Sequence, residues 1–343
     1  MDSANHGGSL MKRRLAALTL AVGVGIFCLL AAEWVVRKTQ LLEIPPNLAR
    51  GHPRRGYQLR EGYEGVSKFG VHLRVNELGM RGPEVTRAKP AGVHRVLTLG
   101  DSVAFGWGVE EPETFSRRLE AALRQQLACP VEVLNSGVSG YGSVEEADFF
   151  THEGLELDPD VVLVYHVEND NQSSAHAQGW LARFVKDWIV YRSHLVNAVM
   201  YAWRVNRWKL HAQAAGGDEA AHAAEQRAWD ARPDTEQSLA ALREIGAVAK
   251  QHGIRAILAS HPNDLADRSI DAVRNGVLRE LAASNGFVFV DVGPAIVPYK
   301  DRDIAVSKTD RHPNGFAHGV IAEALLPAVR DALACPPRTS LGG

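Results

Sequence analysis

This 343-residue chain has only three cysteines and a net charge of only −2. The low cysteine count and the low net charge each exclude some classes of function. No residues show metal-ligand spacing and no phosphate loop occurs, so the sequence predicts neither a metal nor a cofactor. The near-zero net charge gives no general attraction to nucleic acid, so we predict no nucleic-acid partner. No internal repeat stands out. The length is sufficient for one enzyme domain with a sizeable core and attached segments.

A Gly-Asp-Ser tripeptide at residues 100–102 follows an apolar run over 96–99, which is typical of a strand. A serine at the carboxyl end of a first parallel strand lies where open α/β sheets bind ligands. Such a serine is a nucleophile when a base reaches it. Because Gly-Asp-Ser is also common in turns, the residues further along the chain decide its meaning.

Three further blocks follow in order. A predicted strand over 131–134 leads to Gly140, another over 161–165 leads to Asn169, and His312 lies near the C-terminus. With this ordered set, residues 94–334 resemble the SGNH hydrolases, the superfamily of Gly-Asp-Ser esterases and lipases.

The resemblance implies a catalytic triad. Ser102 would attack an ester carbonyl, and His312 would take its proton and return it to the leaving alcohol. Asp310 would orient the imidazole. In the family this acid most often lies three residues before the histidine, where this chain has Thr309, whereas some membrane-associated SGNH acetyl-transfer proteins have Asp-x-His.

The resemblance also implies an oxyanion hole made of the backbone N–H groups of Ser102 and Gly140 and the side-chain amide of Asn169. We expect Gly100 and Asp101 to support the serine loop. The family's third block usually begins with glycine, and Val167 occupies that position here.

Ordinary structural roles remain open for several of these residues. Gly140 could end a strand, Asn169 could cap a helix, and His312 could be a surface histidine. Asp264 and Asp291 are alternative partners for the histidine. Ser136 and Ser139 do not lie in a Gly-x-Ser-x-Gly motif, so we do not expect either to be the nucleophile.

The N-terminus predicts a membrane anchor. Three basic residues at 12–14 precede an apolar segment over 15–36, which is long enough to span a bilayer. A cleaved signal peptide is the alternative, with cleavage near Ala31 or Ala32. Such cleavage prefers a small residue at a position that Leu29 or Leu30 occupies here, which disfavours it. We therefore expect residues 1–14 in the cytoplasm, one transmembrane helix over 15–36 in the inner membrane, and the catalytic domain outside the cytoplasm, in the periplasm. The flanking charges do not settle the direction.

Cys129 and Cys335 follow the predicted helices 114–127 and 315–334. In a flavodoxin-like order the first and last helices share a face and run parallel, which places both cysteines at one end of the sheet. A disulfide is then geometrically possible and favours an oxidising compartment. Two separate buried thiols are the alternative.

The remaining boundaries follow from composition. Residues 37–93 are predicted as a linker and small extended module, 94–335 as the hydrolase domain, and 336–343 as a tail. A helical insertion is expected over 178–232. Its tryptophans and basic residues fit a helix on a membrane surface, a lid, or a hairpin packed on the core; they include Trp180, Trp188, Trp203, Trp208, Arg183 and Arg207.

The sequence thus predicts an α/β fold, a flavodoxin-like three-layer α/β/α sandwich with a five-stranded parallel sheet. The expected function is a membrane-anchored serine esterase acting on O-acyl groups of cell-envelope carbohydrate or lipid. The alternatives are an O-acyltransferase of surface polysaccharide that uses the same residues, and a non-catalytic carbohydrate-binding or assembly scaffold.

Overall fold

The computed structural model describes residues 3–39, 48–67, 69–171, 192–215, 234–263, 269–307 and 310–338. Its helices are α1 (Ser3–Thr39), α2 (Ser102–Phe105), α3 (Phe115–Gln126), α4 (Ser143–His152), α5 (His194–Ala215), α6 (Asp234–Gln251), α7 (Ser269–Asn285), α8 (Gly293–Ile296) and α9 (Gly315–Leu333). Its strands are β1 (Ala49–His52), β2 (Gly56–Leu59), β3 (Glu64–Val66), β4 (His72–Arg74), β5 (His94–Gly100), β6 (Val131–Asn135), β7 (Val161–His166), β8 (Arg255–Ser260), β9 (Phe287–Asp291), β10 (Ala305–Ser307) and β11 (Asp310–Pro313).

A five-stranded parallel sheet in the order β6-β5-β7-β8-β9 forms the centre of the domain. This order and the flanking helices confirm the predicted three-layer α/β/α fold. Successive side chains of a strand point to opposite faces, and β7 shows the consequence. Leu163 and Tyr165 pack into one core, whereas Val162 and Val164 pack into the other.

The helices cover both faces of this sheet. α3 and α9 pack against each other on one face, and α4, α6 and α7 lie on the other. α3 begins where the Thr114 hydroxyl caps the N–H of Arg117, and it buries Leu119 and Leu123, four residues apart. With both faces covered, the carboxyl ends of the strands are the edge available for a site.

Two antiparallel hairpins, β1–β2 and β3–β4, precede the sheet. We call residues 48–83 the hairpin module. The module continues the domain core, because Leu59 and Leu73 pack with Phe105 and Trp107 of the loop that follows Ser102. The hairpins fall within the small extended module that was predicted over 37–93.

The apolar segment predicted over 15–36 lies within α1, whose stretch Arg13–Lys38 is long and apolar enough to cross a membrane. Glu33 is a charged residue within this apolar stretch, and its hydrogen bonds give it a structural role. Its carboxylate accepts hydrogen bonds from the Ser193 hydroxyl (2.8 Å) and from the first backbone N–H groups of α5, those of His194 (2.9 Å) and Leu195 (2.8 Å). Glu33 therefore caps α5 and links it to α1.

Parts of several predictions lie outside the described residues. These parts are residues 1–2, 40–47 and Lys68 of the N-terminal segments, 178–191 and 216–232 of the insertion, Asp264, Thr309, and 339–343 of the tail. Within the insertion, α5 is described and exposes Val199, Trp203 and Leu210.

Candidate active site

Ser102 lies at a sharp turn between the central strand β5 and the short helix α2. Gly100 makes this turn with φ +153°, and a Cβ there would lie 2.6 Å from Ala104 Cβ and 3.1 Å from the Tyr165 carbonyl oxygen. Only glycine fits this backbone. The turn presents the Ser102 side chain at the carboxyl edge of the sheet.

His312 and Asp310 reach Ser102 from β11, more than two hundred residues further along the chain. His312 Nε2 lies 2.8 Å from Ser102 Oγ, and His312 Nδ1 lies 2.6 Å from Asp310 Oδ1. The His312 backbone N–H also donates to Asp310 Oδ1 at 3.1 Å. The structure thus brings together all three residues expected to form a triad, in the geometry that general-base activation of a serine requires.

Asp101 is buried beneath the serine. Its Oδ1 caps α2 by accepting from the Val103 N–H (2.8 Å), and its Oδ2 lies 3.0 Å from the Ser102 hydroxyl. Burial and nearby Asp170 raise the pKa of Asp101, while hydrogen bonds from Val103 and from the Asn169 side chain oppose that rise. Asp101 therefore supports the loop, and its carboxylate is a second acceptor for the Ser102 proton.

The expected oxyanion donors lie at the same edge. Within the described ranges, the backbone N–H groups of Ser102 and Gly140 donate to no protein acceptor. Gly140 is exposed and has φ +81°. The Asn169 amide contacts Asp101, and an amide nitrogen carries a second proton that can serve another acceptor. Donors of these kinds are what a developing oxyanion requires.

Val167, at the position where the family has glycine, is buried in the core that α3 and α9 cover. Its backbone N–H donates to Asp170 Oδ2 at 2.9 Å. This bond holds the start of the turn Glu168–Asn171, which carries Asn169. The chain therefore has its own means of fixing that turn, without a glycine.

The remaining residues considered from the sequence have other partners. Asp291 accepts from the Gly293 N–H (2.9 Å) at the end of β9, and the Ser136 hydroxyl donates to the Thr98 carbonyl oxygen (2.6 Å). Ser139 contributes its carbonyl to a contact with Tyr57 (2.7 Å). Asp264 lies outside the described residues.

Arg81 is a functional neighbour that the sequence reasoning missed. Its buried guanidinium donates to the carbonyl oxygens of Phe105 (2.9 Å), Val109 (2.6 Å) and Gly106, and so holds the loop after Ser102. Burial lowers the pKa of Arg81 to about 10, against the opposing charges of Glu110 and Glu111. Arginine is rarely fully buried without a structural task, but the sequence at 76–82 does not show that Arg81 is buried.

A buried acidic group lies behind the site. Glu146 of α4 is almost fully buried, and neither carboxylate oxygen has a hydrogen-bond partner among the described residues. Burial raises its pKa well above the usual range, and the charges of Asp170 and Asp101 add to the rise. Asp170 Oδ2 also lies 3.0 Å from His166 Nδ1. Sequence patterns did not reveal this cluster, because each residue belongs to a different element.

A family model supplies the classification. The model of the GDSL-like lipase/acylhydrolase family matches residues 98–320. The chain belongs to this family. Because lipases and acylhydrolases cleave ester bonds, this GDSL-family protein is a carboxylic ester hydrolase.

Solved structures similar to this GDSL-family protein include a putative lipolytic protein of the G-D-S-L family from Desulfitobacterium hafniense DCB-2. It is 14% identical, with a TM-score of 0.42 and coverage of 68% of this chain and 98% of that one. A catalytic mutant of the acetylxylan esterase Axe2 from Geobacillus stearothermophilus is 16% identical (TM-score 0.42; 71% and 95%). TesA is also 16% identical (TM-score 0.44; 70% and 99%). No curated protein matches the chain.

Proposed function

We propose that Ser102 is the nucleophile of this ester hydrolase, with His312 as general base and Asp310 as the residue that orients it. The observation that carries the proposal is the continuous contact from Ser102 Oγ to His312 Nε2 (2.8 Å) and from His312 Nδ1 to Asp310 (2.6 Å). Ser102 Oγ attacks the ester carbonyl carbon while its proton passes to Nε2. His312 then gives this proton to the departing alcohol, which leaves the acyl group on Ser102. In the second half of the reaction His312 takes a proton from the attacking water and returns it to Ser102 as the acyl group is released.

The oxyanion of each tetrahedral intermediate is stabilised by the N–H groups of Ser102 and Gly140 and by the Asn169 amide. This assignment is supported by the absence of a protein acceptor for either N–H within the described ranges. Such donors are already in place before charge develops, and losing one of them typically costs about 10²–10³ in turnover.

The proposed substrate is an O-acyl ester on a carbohydrate or lipid of the cell envelope. The apolar stretch Arg13–Lys38 of α1 supports attachment to a membrane. The Cys129–Cys335 disulfide, with a Cα–Cα distance of 6.2 Å, supports a domain outside the cytoplasm, because cytosolic thiols are kept reduced.

The experiment is active-site labelling followed by a substrate panel. A fluorophosphonate should label the intact protein at Ser102, and the Ser102→Ala variant should not react. Purified protein in detergent is then tested on acetyl esters and on long-chain acyl esters of sugars and glycerol. Absence of labelling would contradict the catalytic assignment and favour a binding or scaffold protein.

The same panel separates hydrolysis from acyl transfer. Acetate or fatty acid released into water at a steady rate supports the hydrolase. A burst of acyl-enzyme that turns over only after a sugar is added would instead identify an O-acyltransferase. Membrane attachment is tested separately, because an anchored protein should remain in the pellet after carbonate extraction, and protease should reach the domain only from the outer side.

A further inference from the structure

Tyr57 of β2 reaches the proposed oxyanion hole from outside the family-matched region. Its hydroxyl donates a 2.7 Å hydrogen bond to the Ser139 carbonyl oxygen. The family model begins at residue 98, so Tyr57 belongs to the hairpin module rather than to the matched domain. The hydroxyl lies close enough that a Cβ on Gly140 would be 2.7 Å from it.

The contact matters because of the geometry of one peptide bond. The Ser139 carbonyl and the Gly140 N–H belong to the same planar trans peptide unit, so they point in opposite directions. A donor that holds the carbonyl therefore also sets the direction of the N–H. Gly140 has φ +81°, a conformation that glycine adopts at no steric cost, so the residue itself restrains the peptide little.

Tyr57 is itself held firmly. The Tyr141 hydroxyl donates to the Tyr57 carbonyl oxygen at 2.5 Å, and the two rings pack with their centroids 5.5 Å apart. Arg55 Nε donates to the Tyr141 hydroxyl at 3.2 Å. Arg55 is in turn paired with Asp148 and with Glu153, at 2.8 Å each. Tyr57 thus contacts both residues that flank Gly140, namely Ser139 and Tyr141.

We propose that Tyr57 is a positioning residue that aims the Gly140 N–H at the oxyanion, so that the hairpin module completes the hydrolase site. The assignment rests on the proposed oxyanion role of Gly140. A hydrogen bond to the carbonyl also polarises the peptide and strengthens its N–H as a donor. The effect is therefore specific to the charged intermediate and does not involve substrate contact by Tyr57.

The test compares Tyr57→Phe with the parent protein and with Tyr63→Phe, a control at another partly buried tyrosine of the same module. Phenylalanine keeps the ring packing on Tyr141, so the thermal midpoint should stay within a few degrees. For Tyr57→Phe, kcat on an acetyl ester should fall about tenfold, less than the loss of a whole oxyanion donor, with KM nearly unchanged. Tyr63→Phe should keep both constants.

A second readout separates positioning from a general structural effect. A boronic acid forms a tetrahedral adduct with the nucleophilic serine, and its Ki should rise by the same factor as kcat/KM falls. The product carboxylate, which forms no such adduct, should bind as in the parent protein. Unchanged kcat and boronate affinity in a folded Tyr57→Phe variant would overturn the assignment, as would a loss confined to KM. Failure of a fluorophosphonate to label the parent protein would instead overturn the proposed function itself, and this assignment with it.

Discussion

Asp310 holds His312 through a single oxygen. Asp310 Oδ1 accepts the backbone N–H of His312 at 3.1 Å and lies 2.6 Å from its Nδ1. Both residues belong to the strand β11, where side chains two positions apart point to the same side. The two-residue spacing therefore suits an acid that lies beside the imidazole and also restrains the backbone that carries it.

This geometry predicts the effect of Asp310→Asn. The amide can still contact Nδ1, but it stabilises the wrong tautomer and provides no charge for the imidazolium, so turnover should fall by up to about 10⁴. Steady-state kinetics on a short acyl ester measure the loss. Asp291→Asn is the matched control, since Asp291 bonds to Gly293 at the end of β9. If only the Asp291 change abolished activity, the acid would be misassigned.

Ser102 and His312 should lose activity together. Nucleophile and base act as one unit, so Ser102→Ala and His312→Ala should each lower kcat by about 10⁴–10⁶, and the double variant should be no worse than the poorer single variant. Thermal midpoints should change little, because the lost hydrogen bonds are each worth about 1 kcal/mol. Ser139→Ala, which removes another hydroxyl at this edge, should retain activity. Additive losses would contradict a shared step.

Much of the sheet domain was predictable because its signals are local. Short apolar runs bounded by turn residues identify the parallel strands, and the predicted helix over 315–334 is Gly315–Leu333 in the structure. Parallel strands in this order bring their carboxyl ends to one edge, which explains why Asn169 reaches Asp101, the residue next to Ser102. The strand pattern does not place His312, whose proximity to Ser102 was expected from the resemblance to the SGNH hydrolases.

The rest depends on contacts that leave no local pattern. Tyr57 meets Ser139 across 82 residues of sequence, and Arg81 meets Phe105 through backbone carbonyls, which any residue supplies. Glu146 occupies a helix position where a charged residue suggests exposure, and only the packing of α4 on the sheet buries it. Such contacts form only in the folded protein, where the helices pack on the sheet.

Glu146 should make stability depend on pH. Its pKa is raised above the usual value of 4.5 by burial and by Asp170 and Asp101. Above pH 4.5 the unfolded chain releases this proton while the folded protein keeps it. The free energy of unfolding therefore falls as pH rises toward the folded pKa, by up to about 1.4 kcal/mol per pH unit. Glu146→Gln cannot ionise in either state, so it should remove this contribution.

Urea denaturation of the parent and of Glu146→Gln at pH 5 and pH 8 measures the effect. The stability advantage of the variant should be larger at pH 8 than at pH 5. Asp101, whose pKa is also raised, should leave a smaller decline in the variant. An advantage that stays constant between the two pH values would show that Glu146 ionises in the folded protein without penalty.

The disulfide should stabilise the domain by constraining its unfolded chain. Cys129 and Cys335 are separated by 206 residues and join the loop after α3 to the segment after α9, at the end of the sheet opposite Ser102. The chain-entropy model gives about 5 kcal/mol for so long a loop, and measured values commonly lie at 2–4 kcal/mol. Cys129→Ser with Cys335→Ser should therefore lower the denaturation midpoint and leave kcat nearly unchanged.

Cys28→Ser, which removes the exposed cysteine of α1, is the control and should change neither. Adding a reductant should bring the parent protein to the midpoint of the double variant, because the same constraint is lost. Equal midpoints for parent and double variant under oxidising conditions would show that the bond contributes no stability.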